Sequence, residues 1–242
     1  MPEKAPTIAA DRSTTNVPAR TRPLLNETQP SPLALAPLGV GELLERLSSD
    51  DPVPGGGSTA ALAGAMGASL VSMVAALTEG RDAYAAVEAE AREIGEAASA
   101  LRDELVALAD EDSNAYQGYM EARRLPRQTD VEREVRARAM EDAALQSADV
   151  PMRTARAARE ALELARRIAP IGNRNAVSDA GVAALLTAAA VRGAILNVRI
   201  NLPQLSDEAS LRKEASEELP RLEHDASELE AAALGDVAAR LA

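Results

Sequence analysis

From Val40 onward, apolar side chains recur three and four positions apart, the spacing of one face of an α-helix. Leu43, Leu44 and Leu47 mark a short amphipathic helix, which the stretch from Asp50 to Gly57, with Pro52, Pro54 and three glycines, ends. A second helix is predicted from Ser58 to Thr78. Gly64 and Gly67 lie on it among Ala and Ser, which lets a neighbouring backbone approach closely. No proline interrupts Tyr84 to Ala122, predicting a helix about 58 Å long at 1.5 Å per residue. Helix resumes near Asp130 and runs to Ala169, with Pro151 expected to kink or divide it. After Pro170-Ile171-Gly172-Asn173 another helix spans Ala176 to Asn201, and the last region, Asp207 to Leu241, is expected to break at Pro220. No alternating strand pattern and no fixed repeat is present, so the fold class is an all-α bundle occupying residues 39–242. Residues 1–38, with Pro18, Pro23, Pro30, Pro32 and Pro37 and no sustained period, are expected to form a disordered or loosely attached tail.

Composition narrows the chemistry. The chain has 242 residues, no Phe, no Trp and only Tyr84, Tyr116 and Tyr119, so its core must be built from Ala, Leu, Val, Ile and Met. Lys and Arg total 26 against 38 for Asp and Glu, a net charge of −12. That balance argues against nucleic acid and anionic membranes as partners. With no cysteine and one histidine, His224, thiolate catalysis and Cys- or His-cluster metal sites are excluded. The uncharged stretch Thr59–Thr78 is long enough to span a bilayer, yet its Ala, Gly, Ser and Thr content suits a helix buried on all sides in a soluble protein. No signal peptide is apparent in residues 1–22, and a cytoplasmic location is expected. Carboxylates, arginines, amides and hydroxyls are left to do the chemistry.

Three segments can carry it. In Gly55-Gly56-Gly57-Ser58 the backbone is free to approach a ligand, with Ser58 as N-cap and first-turn N–H groups open to an anion or carbonyl oxygen; an ordinary turn and cap would read the same way. Asp112, Tyr116 and Tyr119 stand at i, i+4 and i+7, on one helix face, where a half-buried carboxylate beside a phenol could act as general acid or base. Asp110 and Glu111 read as a solvated acidic patch. The third segment is Gly172-Asn173-Arg174-Asn175-Ala176-Val177-Ser178-Asp179, opening a helix that ends in Asn197-Val198-Arg199-Ile200-Asn201. Asp179, Asn197 and Asn201 project on one side and need partners, either neighbouring helices or a ligand. Arg192 and Arg199, seven apart, share a face suited to carboxylates, and Ser178 could simply cap the helix.

These segments, in this order, resemble the formiminotetrahydrofolate cyclodeaminase and methenyltetrahydrofolate cyclohydrolase family, over roughly residues 39–235. The resemblance implies an up-and-down bundle that forms a homodimer, binds a tetrahydrofolate derivative between helices and uses no cofactor or metal. It implies a stand-alone domain, without the formiminotransferase partner of bifunctional members. Two reactions follow from it. One closes N5-formiminotetrahydrofolate to 5,10-methenyltetrahydrofolate with loss of ammonia; the other hydrolyses the methenyl compound to 10-formyltetrahydrofolate. By resemblance, Asp112 and Asp179 are the catalytic candidates. The substrate-binding candidates are Gly55, Gly56, Gly57, Ser58, Tyr116, Asn173, Arg174, Asn175, Ser178, Asn197, Arg199 and Asn201. Arg174 and Arg199 would hold the glutamate tail. Arg127 stands where Lys is common in relatives, and it cannot exchange protons as Lys does. The alternative is a folate-binding or purely structural helical dimer without turnover.

Overall fold

The computed structural model describes residues 34–242; the tail expected over residues 1–38 therefore lies mostly outside the described residues. Six α-helices are present among them: α1 (Val40–Leu47), α2 (Gly56–Thr78), α3 (Glu88–Arg124), α4 (Asp130–Ile171), α5 (Val177–Asn201) and α6 (Ser210–Leu241). Short 3₁₀ turns at Asp82–Tyr84, Arg174–Ala176 and Leu202–Gln204 lead into α3 and α5 and follow α5.

Cross-helix pairs show which way the helices run. Ser58 at the start of α2 meets Asp112 in the second half of α3, while Glu79, just past the end of α2, meets Arg92 near the start of α3. Arg153 and Arg167 of α4 pair with Glu111 and Glu93 of α3. Arg192 and Arg199 of α5 pair with Glu230 and Glu223 of α6. Each of these neighbours is antiparallel, so the bundle is up-and-down as expected.

The core follows from the composition. Large apolar side chains such as Ile94, Leu105, Leu108, Met152, Leu162 and Ile195 are fully buried, and alanines fill the space where helices come closest. A Cβ on Gly67 would lie 2.5 Å from Thr187 Cγ2 and 3.0 Å from the Ala183 carbonyl oxygen. One on Gly64 would lie 3.1 Å from Leu105 Cδ1. These glycines do let α5 and α3 pack against the backbone of α2, as the sequence suggested.

Four expectations need correction. Pro220 does not interrupt α6, and of the two outcomes expected at Pro151, a kink or a division, the division does not occur; both helices are continuous, held by tertiary packing on each side of the proline. The helix expected from Tyr84 starts at Glu88, because Tyr84 closes a 3₁₀ turn and its hydroxyl accepts the Arg174 N–H at 2.9 Å. Packing begins before Val40: Leu35 is buried, and its N–H donates to Asp110 Oδ1 at 2.7 Å. Asp110 and Glu111, though partly exposed, are therefore paired rather than free: Glu111 takes both ends of the Arg153 guanidinium at 2.6 and 3.3 Å.

Two helical stretches, Gly56–Thr78 and Arg174–Gln204, are long and apolar enough to cross a membrane, and each is about half buried against the other helices. Their outward faces carry Met66, Met73 and Leu77 on α2 and Val182, Leu185, Leu196 and Ile200 on α5, all exposed.

Candidate active site

The first turn of α2 is where a backbone without side chains meets a carboxylate. Residues Gly56 and Gly57 open the helix, with Gly55 as an extended N-cap that supplies no side-chain bond. Ser58 is therefore not the cap expected from sequence. It sits in the first turn, fully buried, and its hydroxyl donates to Asp112 Oδ2 at 2.9 Å. That donation leaves the Ser113 hydroxyl, 2.9 Å away and also buried, to donate to Ser58 Oγ. Gly57 explains how Asp112 comes so near. A Cβ there would stand 2.1 Å from Asp112 Oδ1, closer than any side chain permits.

Asp112 is half-buried, and burial pushes its carboxyl above the ordinary carboxylate range, although the hydroxyl and N–H of Ser58 pull the other way. The open N–H groups at the start of α2 favour negative charge beside them. The carboxylate is thus held in place and only partly stabilised as an anion, a state suited to accepting a proton.

Asp112 opens onto a cavity of about 300 Å³ at one end of the bundle. Its walls are Pro52, Val53, Gly55, Gly56 and Gly57 before and on α2, Asp112, Tyr116 and Tyr119 on α3, Ser147 on α4, and Asn197, Ile200, Asn201 and Gln204 on and after α5. Asn197 Nδ2 donates to the Gly193 carbonyl at 2.9 Å. Asn201 Nδ2 donates to the carbonyls of Ser147 at 2.7 Å and Asn197 at 3.0 Å. A second hollow, between α4 and α6, is lined by Arg156, Arg159, Glu214, Glu218 and Asp225. Those charges already neutralise one another.

Of the residues singled out from sequence, the cavity brings together Gly55, Gly56, Gly57, Asp112, Tyr116, Asn197 and Asn201, with Ser58 directly behind Asp112. The rest lie elsewhere in the chain's own fold. Asn173 is buried and its amide is spent on structure. Its Nδ2 donates to the Leu77 carbonyl at 2.7 Å, its N–H to Thr78 Oγ1 at 2.8 Å, and its Oδ1 accepts the Asn175 N–H at 3.0 Å. Within this chain Asn173 thus ties the α4–α5 connection to the end of α2. Arg199 is likewise not at the cavity; with Arg192 it holds carboxylates, as its spacing suggested, but they are Glu223 and Glu230 of α6. Arg174, Asn175 and Ser178 are exposed and Asp179 half-buried at the start of α5. Asp179 shares a helix with Asn197 but stands five turns away, about 27 Å along the axis. Within one chain they do not meet.

Sequence reading missed Pro52, Val53, Ser147, Ile200 and Gln204 as lining residues. Ser147 carried a signal: it is four positions before Pro151, so its carbonyl lacks the usual helical donor.

Residues 39–219 match the sequence profile described as formiminotransferase-cyclodeaminase. The chain belongs to this family. Among relatives of the formiminotransferase-cyclodeaminase family, the methenyltetrahydrofolate cyclohydrolase of Methylorubrum extorquens is 43% identical over 180 residues, 74% of this chain and 85% of that one. The formimidoyltransferase-cyclodeaminase of Gallus gallus is 34% identical over 189 residues, 78% of this chain but only 35% of that longer protein. The crystal structure of formiminotetrahydrofolate cyclodeaminase from Thermotoga maritima aligns with a TM-score of 0.75 at 29% identity, covering 86% of this chain and 99% of that one. Every residue lining the cavity falls inside the formiminotransferase-cyclodeaminase match.

Proposed function

We propose that this chain is a folate one-carbon enzyme acting at the carbon between N5 and N10 of tetrahydrofolate, with Asp112 as its acid/base group. The observation that carries the reading is Asp112 wedged against Gly57, bound by Ser58 and open to a cavity walled by Asn197, Asn201 and two tyrosines. Hydrolysis of 5,10-methenyltetrahydrofolate is favoured over cyclodeamination because the cyclohydrolase relative is the more similar, at 43% identity against 34% and 29% for the cyclodeaminases. In that reaction the Asp112 carboxylate takes a proton from water as its oxygen bonds to the methenyl carbon. The proton then passes to N5 as the carbon–N5 bond breaks, and the hydroxyl left on the carbon gives its own proton to solvent as its oxygen becomes the carbonyl of the formyl group on N10. No step requires a metal or a redox cofactor.

Loss of methenyltetrahydrofolate absorbance, above the uncatalysed rate, tests turnover; appearance of the same absorbance from the formimino compound tests the second reaction. Asp112→Asn should lower kcat by about 10²–10⁴ with the protein still folded. Unchanged kcat would remove Asp112 from the mechanism, and folate binding without turnover in the unaltered chain would leave a binding protein.

The homodimer is part of the same proposal. What supports it is the row of exposed apolar side chains along the adjacent helices α2 and α5, which ends at Ile200, itself a wall of the cavity. Two copies paired antiparallel about the middle of α5 would set the Arg174–Asp179 segment of one beside the Asn197–Asn201 end of the other. On that arrangement Arg174, Asn175, Ser178 and Asp179 serve the partner's cavity.

A further inference from the structure

Pro151 lies inside α4, and a proline has no N–H to give to the carbonyl four residues earlier. That carbonyl belongs to Ser147, which lines the cavity. It does not remain unpaired. Asn201, at the last position of α5, donates its Nδ2 to the Ser147 oxygen at 2.7 Å. The second hydrogen of the same Nδ2 goes to the Asn197 carbonyl at 3.0 Å. Both N–H bonds of the amide are then committed to carbonyls, which fixes which end of the amide is oxygen and which is nitrogen. The Oδ1 is left as the acceptor, and it takes Gln204 Nε2 at 3.2 Å. An amide whose two ends are not told apart by their partners can turn over and offer a ligand either a donor or an acceptor. Here the carbonyl freed by Pro151 makes the shortest of the three bonds that settle the question.

We infer that Pro151 is a positioning residue of this cavity: by freeing the Ser147 carbonyl it holds the Asn201 amide with its oxygen available as an acceptor for an N–H group of the bound folate. This rests on the cavity being the folate site. The proline is an unfavourable residue in a helix interior, where Ala would propagate the helix better. Restoring an N–H at 151 gives the Ser147 carbonyl its ordinary helical partner, which then competes with Asn201 for that oxygen and weakens the hold of α4 on the amide.

Pro151→Ala in the full chain tests the linkage. The expected result has three parts. The melting temperature rises or holds, because α4 gains a hydrogen bond. The Asn201 side-chain amide resonances, assigned by their loss in Asn201→Ala, shift and lose protection from solvent exchange. KM for methenyltetrahydrofolate rises about tenfold, the worth of one hydrogen bond, while kcat changes less. Pro151→Leu, which also restores the N–H, should reproduce the KM change if the Ala variant folds poorly. The double variant Pro151→Ala/Asn201→Ala should lose no more than Asn201→Ala alone, since the proline acts only through the amide. Unmoved amide resonances overturn the inference, as do full additivity in the double variant and an unchanged KM. An unchanged KM in both Pro151→Ala and Asn201→Ala, with the amide resonances moved, would place the failure in the assignment of the cavity as the folate site. An unchanged KM in Pro151→Ala alone would place it in the role given to the proline.

Discussion

Asp112 shows how one side chain's neighbours set both its position and its proton affinity. Gly57 leaves room for the carboxylate, and Ser58 binds it. Gly57→Ala puts a carbon where Oδ1 now sits, so the short Asp112 side chain must swing away while the helices stay packed. Activity should fall about as far as in Asp112→Asn, and circular dichroism should show an unchanged helix content. The pH dependence has a definite sign. Burial raises the folded pKa of Asp112 above its unfolded value of about 3.9, so the protonated form favours the fold. The stability that this proton supplies is complete below the unfolded pKa and is lost as pH rises through the folded one. A base must be ionised, so activity should rise over that same upper range. Ser58→Ala removes the hydroxyl bond that stabilises the anion and leaves the backbone N–H, and the acidic limb of the kcat/KM profile should move to higher pH. A limb that stays put, or moves down, would separate the observed profile from Asp112.

At the scale of helices, what decides the architecture is how closely α2 and α5 approach. Gly67→Ala would press a methyl group into Thr187 and the Ala183 carbonyl. Overpacking costs about 1–3 kcal/mol, against about 1 kcal/mol gained from helix propensity. A net loss, seen as a lower urea midpoint with an unchanged slope, is expected; a midpoint at or above the starting value would mean the interface gives way freely. Much of this level was legible beforehand. The helical spacing and the small residues of α2 placed five long helices and their close contacts. The break expected at Pro220 does not occur because propensity is local, whereas α6 is held by packing on either side of the proline, and α4 likewise runs on through Pro151. Likewise, Asn173 looks like a ligand-reading amide in sequence, and only the fold reveals that Leu77 and Thr78 consume its hydrogen bonds.

For the whole molecule, the proposed dimer would let residues at both ends of α5 serve one reaction. The shared-site dimer gives a clear outcome. Asp112→Asn and Asp179→Asn chains, each inactive alone, should recover activity when unfolded together and refolded, because some mixed dimers contain one site with both carboxylates intact. If mixing recovers nothing although mixed dimers form, or if either variant alone stays fully active, Asp179 does not complete a partner's site.

The sequence by itself determined the helical class, the composition of the core, the face shared by Arg192 and Arg199 and the face shared by Asp112, Tyr116 and Tyr119. All of these depend on periodicities of a few residues or on which chemical groups exist at all. Only the tertiary structure decided that Ser58 binds Asp112 rather than capping its helix, that Gly57 makes way for the carboxylate, and that a carbonyl freed by Pro151 meets Asn201. Those contacts join residues tens of positions apart on different helices, and spacing along a chain carries no information about which helix will lie opposite.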